Sequence, residues 1–216
     1  MPDEERVWTR VALGNLKHVS QVVEVLADTE KAYNSLYSFF KLEDTVSLLS
    51  YPLSPFDPAS RVRTKLFEDL LAYRVKTTKD YSAPVPMEHK LELVKYRIES
   101  PGLFEIIGTV ASVLYIVEAL SRLVERHSPM LENRKKKTKV SEIESITQES
   151  EHIDKALANI RLHGLSKTTV NMFIKNLVVE PLHRLARHID NGSIRDVKRI
   201  DPKPENGDQT NDTQKN

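Results

Sequence analysis

Ser100-Pro101-Gly102-Leu103-Phe104-Glu105, with the apolar run that continues from it to Val124, decides how this chain is read. Ser100 is a suitable helix N-cap, and Pro101 fits the first helical position, where its missing N–H costs nothing. Phe104, Ile106, Ile107, Val110, Val113, Leu114, Val117, Leu120, Leu123 and Val124 then cover most of a helical cylinder. Glu105, Thr109, Ser112, Tyr115, Glu118, Arg122 and Glu125 recur at three- and four-residue steps as a narrow polar stripe. The spacing therefore predicts one helix over 103–124, with an apolar face that needs cover on nearly every side. Its charge-free stretch, Ile106 to Val117, is far shorter than the ~20 residues of a membrane span. The cover can come from the protein's own core, from a second copy or partner, or from a membrane surface. The last fits least, because surface-lying helices carry Lys and Arg along the polar side.

Working outward, Val7 to Leu13 alternates loosely and is rich in strand formers, which predicts a short strand. Val19, Val22, Val23, Leu26, Tyr33, Leu36, Tyr37 and Phe40 keep helical spacing, with Gln21, Glu24, Asp28, Lys31 and Ser35 on the outer side. Pro52, Pro55 and Pro58 end that unit, and Asp57-Pro58 opens a second helix with Val62, Leu66, Phe67, Leu70 and Leu71 inward. Residues 90–99 read as a strand with a bulge or a change of exposed face. Downstream, Arg134 to Lys139 form a basic run, and Ile143, Ile146, Ile153, Leu157 and Ile160 keep only a thin apolar seam. That seam predicts a projecting or loosely packed helix, ended at Gly164. Ser166 caps the next helix, Pro181 kinks or restarts it, and Asn191-Gly192 turns the chain. Beyond Asp201 the only apolar residue is proline, so disorder is expected there.

These segments predict a helix-dominated α+β fold: a small antiparallel sheet packed with long amphipathic helices, plus a charged C-terminal helical arm. The expected organisation is a compact α+β domain over 1–127, the charged arm over 128–163, a C-terminal helical segment over 164–195 and a disordered tail over 196–216.

A chain of 216 residues can bury a sizeable core, and 39% hydrophobic with 29% charged residues is the composition of a soluble protein. A net charge of +1 supplies no global field for nucleic acid or anionic membrane. The absence of cysteine excludes disulfides, thiolate catalysis and Cys-ligated metal sites, and fits a reducing, cytoplasmic setting. The acidic start, Met-Pro-Asp-Glu-Glu-Arg, has no apolar core of a signal peptide. All six glycines are isolated, so neither a P-loop nor a dinucleotide fingerprint can be built. His183 and His188 are five apart, off the shared face of a helical metal pair. Glu142, Glu144, Glu149 and Glu151 read as a solvated face. No catalytic residue, metal ligand or cofactor is therefore assigned.

Gly164-Leu165-Ser166-Lys167-Thr168-Thr169-Val170-Asn171 resembles the turn and second-helix start of bacterial helix-turn-helix proteins. That resemblance implies Thr168, Asn171 and Lys175 as groups for base edges and phosphates. Ile160 stands where a tight interhelix contact normally takes alanine, and the same string also serves as a generic helix end and cap. On a larger scale the chain resembles a group of uncharacterised bacterial proteins. The matching residues are Ser100-Pro101-Gly102-Leu103-Phe104-Glu105, Gly164-Leu165-Ser166 and Pro181-Leu182-His183-Arg184-Leu185. This second resemblance implies architecture and no activity.

The functional expectation is a non-enzymatic interaction or assembly module that presents helical surfaces to itself or to a protein partner. Its candidate interaction face is Phe104, Ile107, Val110, Leu114, Val117, Ile143, Ile146, Ile153 and Leu157. The alternatives are a DNA-binding regulator using 152–178 and peripheral membrane association through 103–124. A protein partner or homo-oligomer ranks first, nucleic acid second and a membrane surface last.

Overall fold

The computed structural model describes residues 6–14, 16, 18–42, 85–97, 102–127, 138–162 and 165–200. The second helix expected after Pro58, the Ser100-Pro101 step, the basic residues 134–137, the Gly164 cap and the tail beyond 200 lie outside them.

The fold is α+β and helix-dominated, with a four-stranded antiparallel sheet in the order β2-β3-β1-β4. Strand β1 is Arg6–Leu13, β2 is Glu92–Arg97, β3 is Leu103–Thr109 and β4 is Ile194–Ile200. Helix α1, Val19–Phe40, lies between β1 and β2 in sequence. Among the described residues, five helical pieces lie between β3 and β4: α2 Val110–His127, α3 Val140–Gln148, α4 Glu151–Leu162, α5 Lys167–Phe173 and α6 Glu180–Asp190. Strands β1 and β2 flank β3, and β3 and β4 flank β1, so each helical excursion spans one intervening strand. This is a doubled split β-α-β arrangement.

The structure corrects the expectation of one helix over 103–124. Residues Leu103–Thr109 are a central strand, paired to β1 from Arg6↔Thr109 to Ala12↔Leu103 and to β2 on its other side. A short continuous apolar run suits a doubly flanked strand as well as a buried helix, and only the partners decide. The helix begins at Val110, directly from the strand. On β2 the expected irregularity is present as a register shift between Leu93 and Lys95.

Val7, Val11, Phe104, Ile106 and Val197 project from one sheet face into a core completed by α1, α2 and α6. In α1 the buried stripe includes Val25, Ala32, Leu36 and Phe39, while Val19 and Val23, expected inward, are 74% and 57% exposed. Ser35, expected outward, is buried.

The projecting arm expected from 143 to 160 is also corrected. Ile143, Ile146, Ile153, Leu157 and Ile160 are all buried in the same core as the sheet. Their charged neighbours are tied down: Arg122 and Arg126 reach Glu149 at 3.6 and 3.5 Å, and Ser150 donates to Glu118 at 3.0 Å. Thr138 is anchored to Asp190 through its N–H at 2.9 Å and its hydroxyl at 2.6 Å. Residues on both sides of the boundary expected near 127 thus share one core, and residues 196–200, expected to open a disordered tail, are instead ordered by their hydrogen bonds to β1 as part of β4.

Ser166 caps α5 as its sequence predicts, accepting the Thr169 N–H at 3.2 Å. Between α5 and α6, residues Ile174–Val179 form a π turn. Pro181 explains it, because its ring would strike the carbonyl four residues back and the wider turn gives it room. Gly192, at φ +76°, supplies the left-handed residue of the turn into β4.

Candidate functional site

Where β3 runs into α2 without a loop, a cleft of about 390 Å³ opens between α1, α2 and α4. Tyr37, Phe40 and Lys41 reach it from the end of α1, Thr109, Val110, Ala111 and Ser112 from the strand–helix junction, and His152 from α4. Gly108 allows the junction to sit this close to α1. A Cβ there would lie 2.6 Å from the Tyr33 ring and 2.8 Å from Val113.

The floor is a buried chain of hydroxyls. The Thr109 N–H donates to the Tyr33 hydroxyl at 3.0 Å, and that hydroxyl donates to the backbone carbonyl of His89. Thr109 Oγ1 lies 3.2 Å from the same hydroxyl and donates to Ser112 Oγ at 3.3 Å. The walls are aromatic. Tyr37 stacks on His89 with ring centroids 5.6 Å apart, and Phe40 meets Tyr115 edge-on at 6.3 Å. Behind the wall, the Tyr115 hydroxyl donates to Thr147 Oγ1 at 3.0 Å. Burial pushes the Tyr115 phenol well above its ordinary value of 10.0, against the smaller opposing effect of the Thr147 hydrogen bond.

The electrostatics favour a negative guest. Val110, Ala111 and Ser112 form the first turn of an 18-residue helix, whose unpaired amides carry a positive partial charge. No acidic residue occupies that turn. Lys41 adds a full charge, and no described lining residue is acidic. The arrangement offers a hydroxyl and helix-pole end for an anionic group, and aromatic and aliphatic walls for its body.

The expected interaction face is placed elsewhere. Phe104, Ile143, Ile146, Ile153 and Leu157 are buried in the core, and Ile107, Val110, Leu114 and Val117 are half-buried. Of these only Val110 lines the cleft. Membrane insertion through 103–124 would require pulling a central strand from its sheet, and no described helix is long and apolar enough to cross a membrane. Thr168, Asn171 and Lys175 do lie exposed along one strip of α5 and the π turn, and none of them lines the cleft.

Sequence reasoning missed the site because its parts come from three distant segments. The one local signal was Thr109 and Ser112, two hydroxyls three residues apart within an apolar run.

A second cluster joins α1 to α6. Glu24, Asp28 and His188 each bring a ligand-type atom within 4.8 Å of the other two, and they are the described residues able to hold a metal ion. His188 Nε2 is 2.9 Å from Asp28 Oδ2.

No protein-family model, characterised protein or solved structure matches this chain.

Proposed function

We propose that the chain is a binding module that takes a small anionic ligand with an apolar body in the cleft at the head of α2. One observation carries this reading: the first turn of α2, with Ser112, and Lys41 line the same cavity as Tyr37, Phe40 and Val110. The cavity's size falls in the usual range for small-molecule sites, roughly 300–1,000 Å³. The carboxylate or phosphate would sit at the helix pole, and the rest of the molecule against the rings.

The test is a thermal-shift screen of aryl and alkyl carboxylates and phosphate monoesters, followed by calorimetry on the hits. Lys41→Met and Ala111→Glu serve as variants. Hits on the wild type, weakened about tenfold by Lys41→Met and abolished by Ala111→Glu, are the expected outcome. A screen in which no anion raises the melting temperature removes the proposal.

A second reading keeps the expectation of an assembly module but moves its surface. Of the apolar face first assigned to it, Phe104, Ile143, Ile146, Ile153 and Leu157 are taken up by the chain's own core. Among the described residues, exposed apolar side chains gather instead at Leu93, Val94 and Tyr96 on the edge strand β2 and at Met87 just before it, while Val19, Val23 and Val140 stand apart on helices. Edge strands with exposed apolar residues are templates for pairing with another strand.

A further inference from the structure

We propose that Glu24, Asp28 and His188 bind one divalent cation of the zinc class, and that the ion clasps α1 to α6. The inference is independent of the cleft and of any ligand there. Glu24 and Asp28 are one turn apart on α1, the spacing that puts two side chains on one helical face. His188 reaches them from the last turn of α6, and the three ligand-type atoms lie within 4.8 Å of one another.

Two features distinguish this cluster from a patch of surface acids. The imidazole is only 4% exposed, so a nitrogen ligand is held in place by the packing of α6 rather than waving in solvent. And the ring engages one of the two carboxylates: its Nε2 is 2.9 Å from Asp28, while Glu24 makes no hydrogen bond or ion pair among the described residues. With the ring neutral the trio carries two negative charges, and with the ring protonated one. A divalent cation bound by the neutral ring brings the group to zero.

One imidazole nitrogen with two carboxylate oxygens suits Zn²⁺ and its first-row neighbours better than hard Mg²⁺ or soft Cu⁺. Around a tetrahedral zinc, with bonds of about 2.0–2.2 Å, donor atoms stand roughly 3.4 Å apart. Asp28 and His188 would open by about half an ångström from their present contact, and the exposed Glu24 side chain would swing inward. Its solvent side leaves the fourth position to water.

The experiment uses the full chain stripped with a chelator, titrated with Zn²⁺ by calorimetry and melted with and without the ion. Expected are one saturable site per chain, a rise in melting temperature, and losses of about tenfold or more in affinity in each of Glu24→Gln, Asp28→Asn and His188→Gln. His188→Gln disturbs a packed position and can fail to fold. Glu24→Gln removes an exposed, unpaired group and keeps the test decisive. If Asp28 and His188 form only a hydrogen-bonded pair, Glu24→Gln leaves zinc binding and melting unchanged, and the proposal falls. It falls equally if the wild type shows no saturable site, or if Zn²⁺ binds without raising the melting temperature.

Discussion

Tyr115 illustrates what single residues do here that composition hides. It belongs to the set Glu105, Thr109, Ser112 and Tyr115, which spacing marks as a polar stripe, yet all four are buried. Each has a partner. Glu105 accepts two hydrogen bonds from Arg10, at 2.9 and 2.7 Å, while Thr109 and Ser112 share the Tyr33 chain and Tyr115 donates to Thr147. Satisfied in this way, polar side chains can occupy positions that an amphipathic pattern assigns to solvent. For Tyr115 the consequence is measurable. Burial raises its folded-state value above the ordinary 10.0, so the folded protein holds this proton more tightly than the unfolded chain does. The resulting stability is fully present below pH 10.0 and is lost as pH climbs from there toward the folded value. Urea midpoints measured from about pH 9 to about pH 11 should fall more steeply for the wild type than for Tyr115→Phe. Equal slopes would mean that another group governs alkaline unfolding.

Among the elements, those with their own periodicity or cap were legible in the sequence: β1, α1 and the start of α5 at Ser166. Those whose state depends on partners were not. Residues 103–109 fit a helix by spacing, and become a strand because β1 and β2 supply hydrogen bonds on both edges. Strand β4 escaped notice because Ile194, Val197 and Ile200 recur every third residue, not in the two-residue alternation of a strand. The cleft was illegible for a related reason, since Lys41, Ser112 and His152 meet only after the sheet and its helices are in place. Strand β2 is the element that looks outward: all six of its residues are exposed. Its register shift and Lys95 partly blunt the edge, as natural edge strands do. If β2 nonetheless pairs with a second copy, light scattering will report a dimer, and Leu93→Lys with Val94→Lys will return it to monomer without loss of melting temperature. A wild-type protein that stays monomeric at high concentration leaves that pairing unsupported.

At the scale of the whole molecule, the sheet binds the early and late parts of the chain into one unit. Strand β1 has β3 on one side and β4 on the other, and β4 also lies against α2, with Ser121 donating to the Val197 carbonyl at 3.0 Å. Removing 194–200 should therefore do more than trim an edge. It uncovers Val11, Leu13 and part of α2, and several kcal/mol of apolar burial are lost, about 1.5–3 for each large side chain uncovered. The expected result is a broad, weakly cooperative melt by circular dichroism. A sharp transition in the shortened chain would mean that residues 6–193 close a core of their own.

The place of β4 beside β1 also sets a timetable during synthesis. Leu13 pairs with Ile194, and Trp8 with Ile200, so the first described strand to be made must wait for the last. At about 5–20 residues per second, the wait is on the order of ten to forty seconds. Throughout that interval one edge of the nascent strand has no neighbour, and ribosome-associated chaperones are well suited to shield it.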